Sequence, residues 1–194
     1  MHVRDWMTAP AITVTPDRAA FSALALMNLH GIRRLPVVED GRLVGIVTRT
    51  TLAGVAGQGN PGRRGSGKLV IEVMTKDPVS VAPEDTVETA ARLMLRRKFS
   101  GLPVVDGGYV VGVVTESDVF RAICRMFGVD GRGARLEVDL ADDRALADFI
   151  TTRLEDFEIL NLVTVPNPRE GGWKVVMRVR GRNRAKARIG EERT

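Results

Sequence analysis

Residues 7–52 recur as residues 74–119 at a constant offset of 67 and without a gap, and this duplication limits the fold more than any other feature of the chain. Met7-Thr8 answers Met74-Thr75, Val14-Thr15-Pro16 answers Val81-Ala82-Pro83, and Leu26-Met27 answers Leu93-Met94. Leu35-Pro36-Val37-Val38 returns as Leu102-Pro103-Val104-Val105, Gly41 as Gly108, and Val44-Gly45-Ile46-Val47-Thr48 as Val111-Gly112-Val113-Val114-Thr115. A fixed internal period sets both the architecture and the symmetry of any site between the copies. Two copies predict a pair related by a pseudo-twofold axis, because open arrays need at least about three repeats.

Each repeat reads as strand, helix, strand, strand, helix. In the first, residues 11–14 form a short apolar strand. Thr15-Pro16-Asp17 then has the hydroxyl cap, first-turn proline and first-turn acid that start helices. Phe21, Leu24, Ala25 and Leu29 follow at helical spacing, and His30-Gly31 marks the stop. The equivalent helix starts from Pro83-Glu84-Asp85 and lays Val87, Ala90, Ala91 and Met94 on one face. Residues 35–38 with 43–47, and 102–105 with 110–114, are β-rich runs separated by glycine-bearing turns, so each repeat should contain a hairpin. These strands are apolar on both faces and need helices or the other repeat to cover them. The class expected is α/β (α+β), with β-α-β-β-α repeats at 1–55 and 69–128.

Residues 56–68 are glycine-rich, polar and aperiodic, as in a flexible linker. Within this stretch, Gly62-Arg63-Arg64-Gly65-Ser66-Gly67-Lys68 fits the spacing G-x-x-x-x-G-K. A phosphate loop also needs Ser or Thr next, a strand before and a helix after. Leu69 follows instead and no strand precedes, so the match is read as coincidence.

Past the helix expected at 117–127, the pattern changes. Leu136, Val138 and Leu140 alternate with Glu137 and Asp139 as in a half-buried strand, and Leu146, Phe149, Ile150 and Leu154 share a helical face. Residues 160–165 form a second strand, 167–172 a turn, and Trp173, Val175, Met177 and Val179 alternate with Lys174, Arg178 and Arg180 in a third. Residues 134–180 are therefore βαββ, most of a ferredoxin-like unit. It either stops short or is completed by a partner subunit.

Composition narrows the function. With 44% hydrophobic residues the chain is globular. No apolar stretch nears the ~20 residues that span a bilayer, and no apolar run follows a basic start, so a cytoplasmic protein without membrane contact is expected. The single cysteine, Cys124, excludes an internal disulfide and a Cys-rich zinc site. Grouped with Phe120, Ile123 and Phe127 at helical spacing, it reads as core. His2 and His30 offer no metal-ligand spacing, and no nucleophile–base pair is visible, so the chain is read as a non-enzyme. The net charge of +5 lies wholly in the tail: residues 178–194 carry seven Lys/Arg against two Asp/Glu, and the remainder is balanced. A balanced body argues against nucleic acid as the partner.

The Met-Thr lead, the proline-marked helix, the Leu-Pro-Val-Val strand and the run Gly-Val-Val-Thr-Glu-Ser-Asp at 112–118 resemble the CBS domain family, in tandem over about two thirds of the chain. The resemblance implies a regulator, often a homodimer, that binds an adenosine-containing ligand in clefts between the repeats. Candidate ligands are AMP, ADP, ATP and S-adenosylmethionine; no cofactor is required, and a regulated enzyme or other protein is the implied partner. On this resemblance Asp118 accepts both ribose hydroxyls. Thr115, Ser117 and the helix N-terminus beyond them face a phosphate, and Ala9, Pro10, Ile32 and Arg33 supply the adenine side. In the second cleft Thr51 stands where Asp118 does, with Arg34 aligned with Gly101, and Thr48, Phe99 and Ser100 as walls. Hydrogen bonds to charged groups contribute roughly 1.5–3 kcal/mol against about 1 for neutral ones, so that cleft should bind about tenfold more weakly. Asp118 also reads as a helix N-cap, and Arg33 and Arg34 as solvated charges.

The 134–180 unit resembles an ACT domain. Asp142-Asp143-Arg144-Ala145-Leu146 lies where that family has an acidic-Pro-Gly-x-Leu turn, but the glycine is absent, which counts against an amino-acid site. Two rival readings remain. One is a nucleic-acid-associated protein using the basic tail 181–194, which has no aromatic residue to stack bases. The other is a CBS scaffold that dimerises without a ligand.

Overall fold

A computed structural model describes residues 1–56, 67–129, 131–167 and 171–181. Most of the 56–68 linker, most of the Gly62-to-Lys68 stretch and all but the first residue of the 181–194 tail lie outside the described residues. The chain divides into two compact units, Met1–Val119 and Phe120–Thr194.

The first unit holds a 3-10 turn at Val3–Asp5, then α1 (Ala20–Leu29), β1 (Arg34–Glu39), β2 (Arg42–Thr48), α2 (Arg49–Ala56), α3 (Val70–Val73), β3 (Thr75–Lys76), α4 (Val87–Arg97), β4 (Gly101–Asp106) and β5 (Tyr109–Thr115). The helix α5 (Glu116–Met126) begins in this unit, and the division falls within it. Both expected hairpins form: β1 with β2 and β4 with β5, each antiparallel and each with a bulge at the same place, Val37/Val38 and Val104/Val105. Their turns, Asp40-Gly41 and Gly107-Gly108, have positive φ at both central residues, as two-residue hairpins require. The sheet order is β1-β2-β5-β4, with β3 added on β2. The two hairpins pair at Arg42 and Tyr109, equivalent positions that face each other on the pseudo-twofold axis. The Arg42 guanidinium lies 4.9 Å from the Tyr109 ring centroid.

Three local expectations need correction. The strands at 11–14 and its repeat reduce to single parallel bridges, Val14 to Val37 and Val81 to Val104. Helix α1 starts at Ala20 with no side-chain cap, five residues after Thr15, which instead forms a turn with Asp17. The backbone of residues 16–20 is occupied: Ala20 N–H donates to Lys68 O at 2.8 Å, while Arg18 O and Pro16 O accept from Val70 and Ile71. Pro83-Glu84-Asp85 likewise precedes its helix, and Thr86 caps α4 by accepting from Thr89 N–H at 3.1 Å. Finally, the buried face of α1 is Ala20, Ala23 and Met27, whereas Phe21 is exposed and Leu29 is 79% exposed. Of the face expected for α4, Val87, Ala90 and Met94 are buried and Ala91 is half-buried.

The same bonds show how the repeats hold each other. Each repeat is completed by the segment that leads into the other. Val70 N–H donates to Arg18 O at 2.8 Å, and by symmetry Val3 N–H donates to Asp85 O at 2.8 Å. Strand β3 pairs with β2 through Thr75 and Ile46, and Thr8 bridges to Val113. Met74 lies against Gly45, where a Cβ would come within 2.5 Å of its sulfur; Met7 lies against Gly112, where the distance would be 2.7 Å. The repeated Met-Thr and Val-Gly therefore belong together: the glycine makes room for the other copy's methionine. Val3 and Val70 are fully buried, and Val70 belongs to the core around Met27, Leu35 and Leu52. Val3→Ala and Val70→Ala should each lower the free energy of unfolding by about 1–3 kcal/mol in urea denaturation. Leu95→Ala, at an 82% exposed site, should change it by less than about 0.5 kcal/mol; equal small losses at all three would mean the lead-in segments hold nothing together.

The second unit contains β6 (Ala134–Leu140), α6 (Asp143–Arg153), β7 (Phe157–Pro166) and β8 (Trp173–Gly181). The sheet order β6-β8-β7, antiparallel throughout, is the split β-α-β arrangement with the last strand inserted between the first two. Leu154, Val175, Met177 and Val179 form its core, with Leu136, Leu140, Leu146, Phe149 and Trp173 packed around them. Asn167 closes the β7–β8 hairpin by donating its N–H to Gly172 O at 3.1 Å. The stretch around Cys124 departs from expectation: Val119 and Ala122 are buried, while Phe120 is 66% exposed and Ile123 and Phe127 are also exposed. The helix forms where expected, but its buried side is Val119 and Ala122, and Cys124 is half-buried.

Candidate functional site

Strands β2 and β5 end at equivalent threonines, and each continues directly into a helix. At the second junction Asp118 sits in the first turn of α5 and is only 2% exposed. Its Oδ2 accepts from Thr115 N–H at 2.7 Å and from Thr115 Oγ1 at 2.6 Å. The carboxylate reaches back from the third residue of α5 to tie the strand end to the helix, so Asp118 is not the helix N-cap that its position suggested. Thr51 occupies the equivalent place at the first junction, where its Oγ1 lies 3.0 Å from Thr48 Oγ1 and its N–H donates to Thr48 Oγ1 at 3.3 Å. A neutral hydroxyl pair replaces a buried carboxylate.

The residues before β1 and β4 lie against these junctions. Arg49 N–H donates to Arg33 O at 2.8 Å, and Glu116 N–H donates to Ser100 O at 3.3 Å, the same bond in each repeat. Arg34 pairs with Thr48 across β1 and β2, and Gly101 with Thr115 across β4 and β5. Arg34 and Gly101 meet near the pseudo-twofold axis. A Cβ on Gly101 would lie 2.6 Å from Arg34 Nη1 and 2.8 Å from Val114 O, so the space holds one side chain and the glycine cedes it to the arginine. Arg34 donates through Nη2 to the Ser100 hydroxyl of the other repeat. Burial, and then the adjacent Arg33, push the Arg34 guanidinium below its ordinary value, while Glu116 acts in the opposite direction. An anion beside it would relieve both effects.

A cavity of about 280 Å³ opens here, lined from the first repeat by Arg34, Ile46 and Thr48 and from the second by Asp77, Lys98, Phe99 and Ser100 together with an apolar wall that includes Pro78, Val79 and Leu102. Its volume is at the lower end of the ~300–1,000 Å³ of small-molecule sites. Of the residues expected for the second cleft, Arg34, Thr48, Phe99 and Ser100 are brought together; Thr51 is one hydrogen bond behind, on Thr48. Lys98 and Asp77 were not expected. Both have positive φ, +56° and +47°, and the offset of 67 pairs them with Gly31 and Pro10, positions that the sequence had already marked. Around the other junction, Ala9, Pro10, Arg33 and Ser117 are exposed and Ile32 is half-buried, while Thr115 and Asp118 are bonded to each other. In the second unit Asp142 caps α6 by accepting from Ala145 N–H at 2.8 Å, and Asp143 accepts from Trp173 Nε1 at 2.6 Å. Both acids of that turn hold the fold.

The CBS domain profile matches residues 3–56 and 70–125. This chain belongs to the CBS domain family. It carries two CBS domains in tandem, and comparison with solved structures places it among CBS pairs. CBSX2 of Arabidopsis thaliana, crystallised in complex with AMP, is 31% identical with a TM-score of 0.56 over 64% of this chain and 96% of that one. The CBS pair of MJ0100, in complex with 5-methylthioadenosine and S-adenosyl-L-methionine, is also 31% identical with a TM-score of 0.56, over 63% of this chain and 95% of that one. Inosine-5'-monophosphate dehydrogenase of Korarchaeum cryptofilum is 40% identical over 131 residues, which are 67% of this chain but only 26% of the dehydrogenase. Among the described residues no helix is long and apolar enough to cross a membrane.

The buried Asp118 has a structural duty that is independent of any ligand. Asp118→Ala should cost the ligand-free protein about 1–3 kcal/mol in urea denaturation, because Thr115 loses the acceptor for two donors. Thr51→Ala, removing a hydroxyl from an exposed pair, should cost less than about 1 kcal/mol. Equal costs would contradict the inequality of the two junctions.

Proposed function

We propose that this CBS pair is a non-catalytic sensor of an adenosine-containing nucleotide, and that it passes occupancy to the second unit or to a regulated partner. The observation that carries this reading is the pair of strand-to-helix junctions facing lead-in segments of the opposite repeat. One has a buried carboxylate at Asp118, and the other has Arg34, hydroxyls and a cavity. In the proposed arrangement Asp118 accepts the ribose hydroxyls, Thr115, Ser117 and the start of α5 face the phosphate, and Ala9, Pro10, Ile32 and Arg33 meet the base. AMP, ADP, ATP and S-adenosylmethionine are the candidate ligands, a choice supported by the AMP and S-adenosyl-L-methionine held by the two structural relatives. Coupling requires that the ligand bind two states of the protein with different affinity.

The finer organisation is also proposed. The repeats occupy 1–55 and 69–128, and the ACT-like reading of 134–180 is supported by its split β-α-β order. The bonds that Asp142 and Asp143 make within the fold weigh against an amino-acid site in that turn. Exposed apolar side chains on the helices, among them Phe21, Leu29 and Leu95, support a homodimer. The regulated partner is read as a protein, in keeping with the CBS-bearing dehydrogenase to which this chain is similar.

Thermal denaturation with AMP, ADP, ATP and S-adenosylmethionine tests the reading. A ligand at about 100 times its dissociation constant stabilises by roughly 2.7 kcal/mol, which raises Tm by several degrees. Asp118→Asn should reduce that shift for at least one ligand. No shift with any of the four would sink the sensor reading.

A further inference from the structure

Helix α5 crosses the division of the chain: Asp118 is its third residue, and Met126, its last, belongs to the second unit. Within that unit two side chains hold the backbone where it leaves the helix. Asn161 donates through Nδ2 to Met126 O at 2.8 Å, and Arg178 donates through Nη1 to Gly133 O at 3.0 Å. Both lie close under the intervening residues. A Cβ on Gly128 would come within 2.8 Å of Asn161 Oδ1, and one on Gly131 within 3.1 Å of Arg178 Cδ.

These bonds leave each side chain with one atom unused. Among the described residues, Asn161 Oδ1 and Arg178 Nε are buried without a hydrogen-bond partner. An unpaired buried polar group costs more than an ordinary hydrogen bond returns, so such a pair in one place calls for a reason. The two atoms are complementary, since one is an acceptor and the other a donor. Asn161 and Arg178 also stand directly opposite each other in the ladder of β7 and β8. Opposed Cβ atoms lie about 4.5–5.5 Å apart, a gap that an asparagine and an arginine can bridge. A second arrangement is therefore open to them, in which Arg178 Nε–H donates to Asn161 Oδ1. Turning Oδ1 toward Arg178 turns Nδ2 away from Met126 O, because both atoms belong to one rigid amide. Each arrangement satisfies what the other leaves unpaired.

We propose that Asn161 and Arg178 form a two-state latch on the exit of α5, and that occupancy near Asp118 reaches the second unit through it. This rests on the nucleotide-sensor reading given above. Coupling needs an element with two discrete arrangements whose balance the ligand shifts, and the latch supplies both. In the engaged form the side chains hold Met126 and Gly133. In the released form they hold each other, the strand face that carries them loses its cover, and β7 and β8 open more often.

Hydrogen exchange read by mass spectrometry on the full chain tests the latch, with and without whichever of AMP, ADP, ATP and S-adenosylmethionine raises Tm most. In the unaltered chain the bound nucleotide should change exchange rates at 159–165 and 174–180 by at least about threefold, alongside protection around Thr115 and Asp118. Asn161→Asp keeps the acceptor, loses the donor to Met126 and adds a charge opposite Arg178, so it holds the latch released. That variant should still bind the nucleotide and protect Thr115 and Asp118, but the response at 159–165 and 174–180 should be lost. Asn161→Ala, with neither atom, should lose the response too and carries the test if Asn161→Asp folds poorly. A purely structural role would leave exchange faster in both variants with the nucleotide response intact, and that result overturns the latch. So does an unaltered chain that binds a nucleotide without any response in β7 and β8; in either case the sensor reading stands. Binding of none of the four would overturn the sensor reading, and the latch with it.

Discussion

The reciprocal exchange of lead-in segments is the constraint on which the rest of the first unit depends. Val3 and Val70 each give a backbone N–H and a buried side chain to the opposite repeat, and Met7 and Met74 fill the spaces over Gly112 and Gly45. Neither repeat has a complete sheet or core without the other's leading residues. The exchange also fixes where each lead-in runs, which places residues 8–12 and 75–79 beside the ends of β5 and β2. The clefts are a by-product of how the repeats are closed.

The pseudo-twofold axis adds a second restriction, because equivalent residues meet themselves there. A second side chain does not fit beside Arg34, and the equivalent position is Gly101. At Arg42 and Tyr109 the two copies coexist only by stacking a cation on a ring. Inequality between the clefts thus follows in part from steric exclusion at the axis. It is extended away from the axis by Asp118 against Thr51 and Lys98 against Gly31, where no crowding demands a difference. Those are the positions where chemistry, not packing, separates the copies.

The sequence made the duplication, both hairpins and the βαββ order of the second unit legible, because period-2 runs and glycine turns are local signals. Helix faces were legible only in part. In α4 the apolar positions Val87, Ala90 and Met94 coincide with the buried ones, but in α1 Phe21, Ala25 and Leu29 are exposed while Ala20, Ala23 and Met27 are buried. Carrying the α4 face back by 67 residues gives Ala20, Ala23 and Met27, the observed core of α1; the repeat held the answer that hydrophobicity alone did not. The uncapped start of α1 was not readable, since it depends on backbone bonds to residues 68–71, remote in sequence. At the candidate site Arg34, Thr48, Phe99 and Ser100 were reached through the resemblance to CBS domains, carried from one repeat to the other. Lys98 was missed because its equivalent, Gly31, was read only as a helix stop.

In the proposed sensor one junction reads a ribose through Asp118, and the other presents Arg34 to its ligand. A crystal structure of the full chain with AMP tests it most directly. The account predicts adenosine between the repeats, with both ribose hydroxyls within hydrogen-bond distance of the Asp118 carboxylate in that cleft. AMP bound between the repeats with its ribose turned away from Asp118, or bound only elsewhere on the protein, would contradict the account.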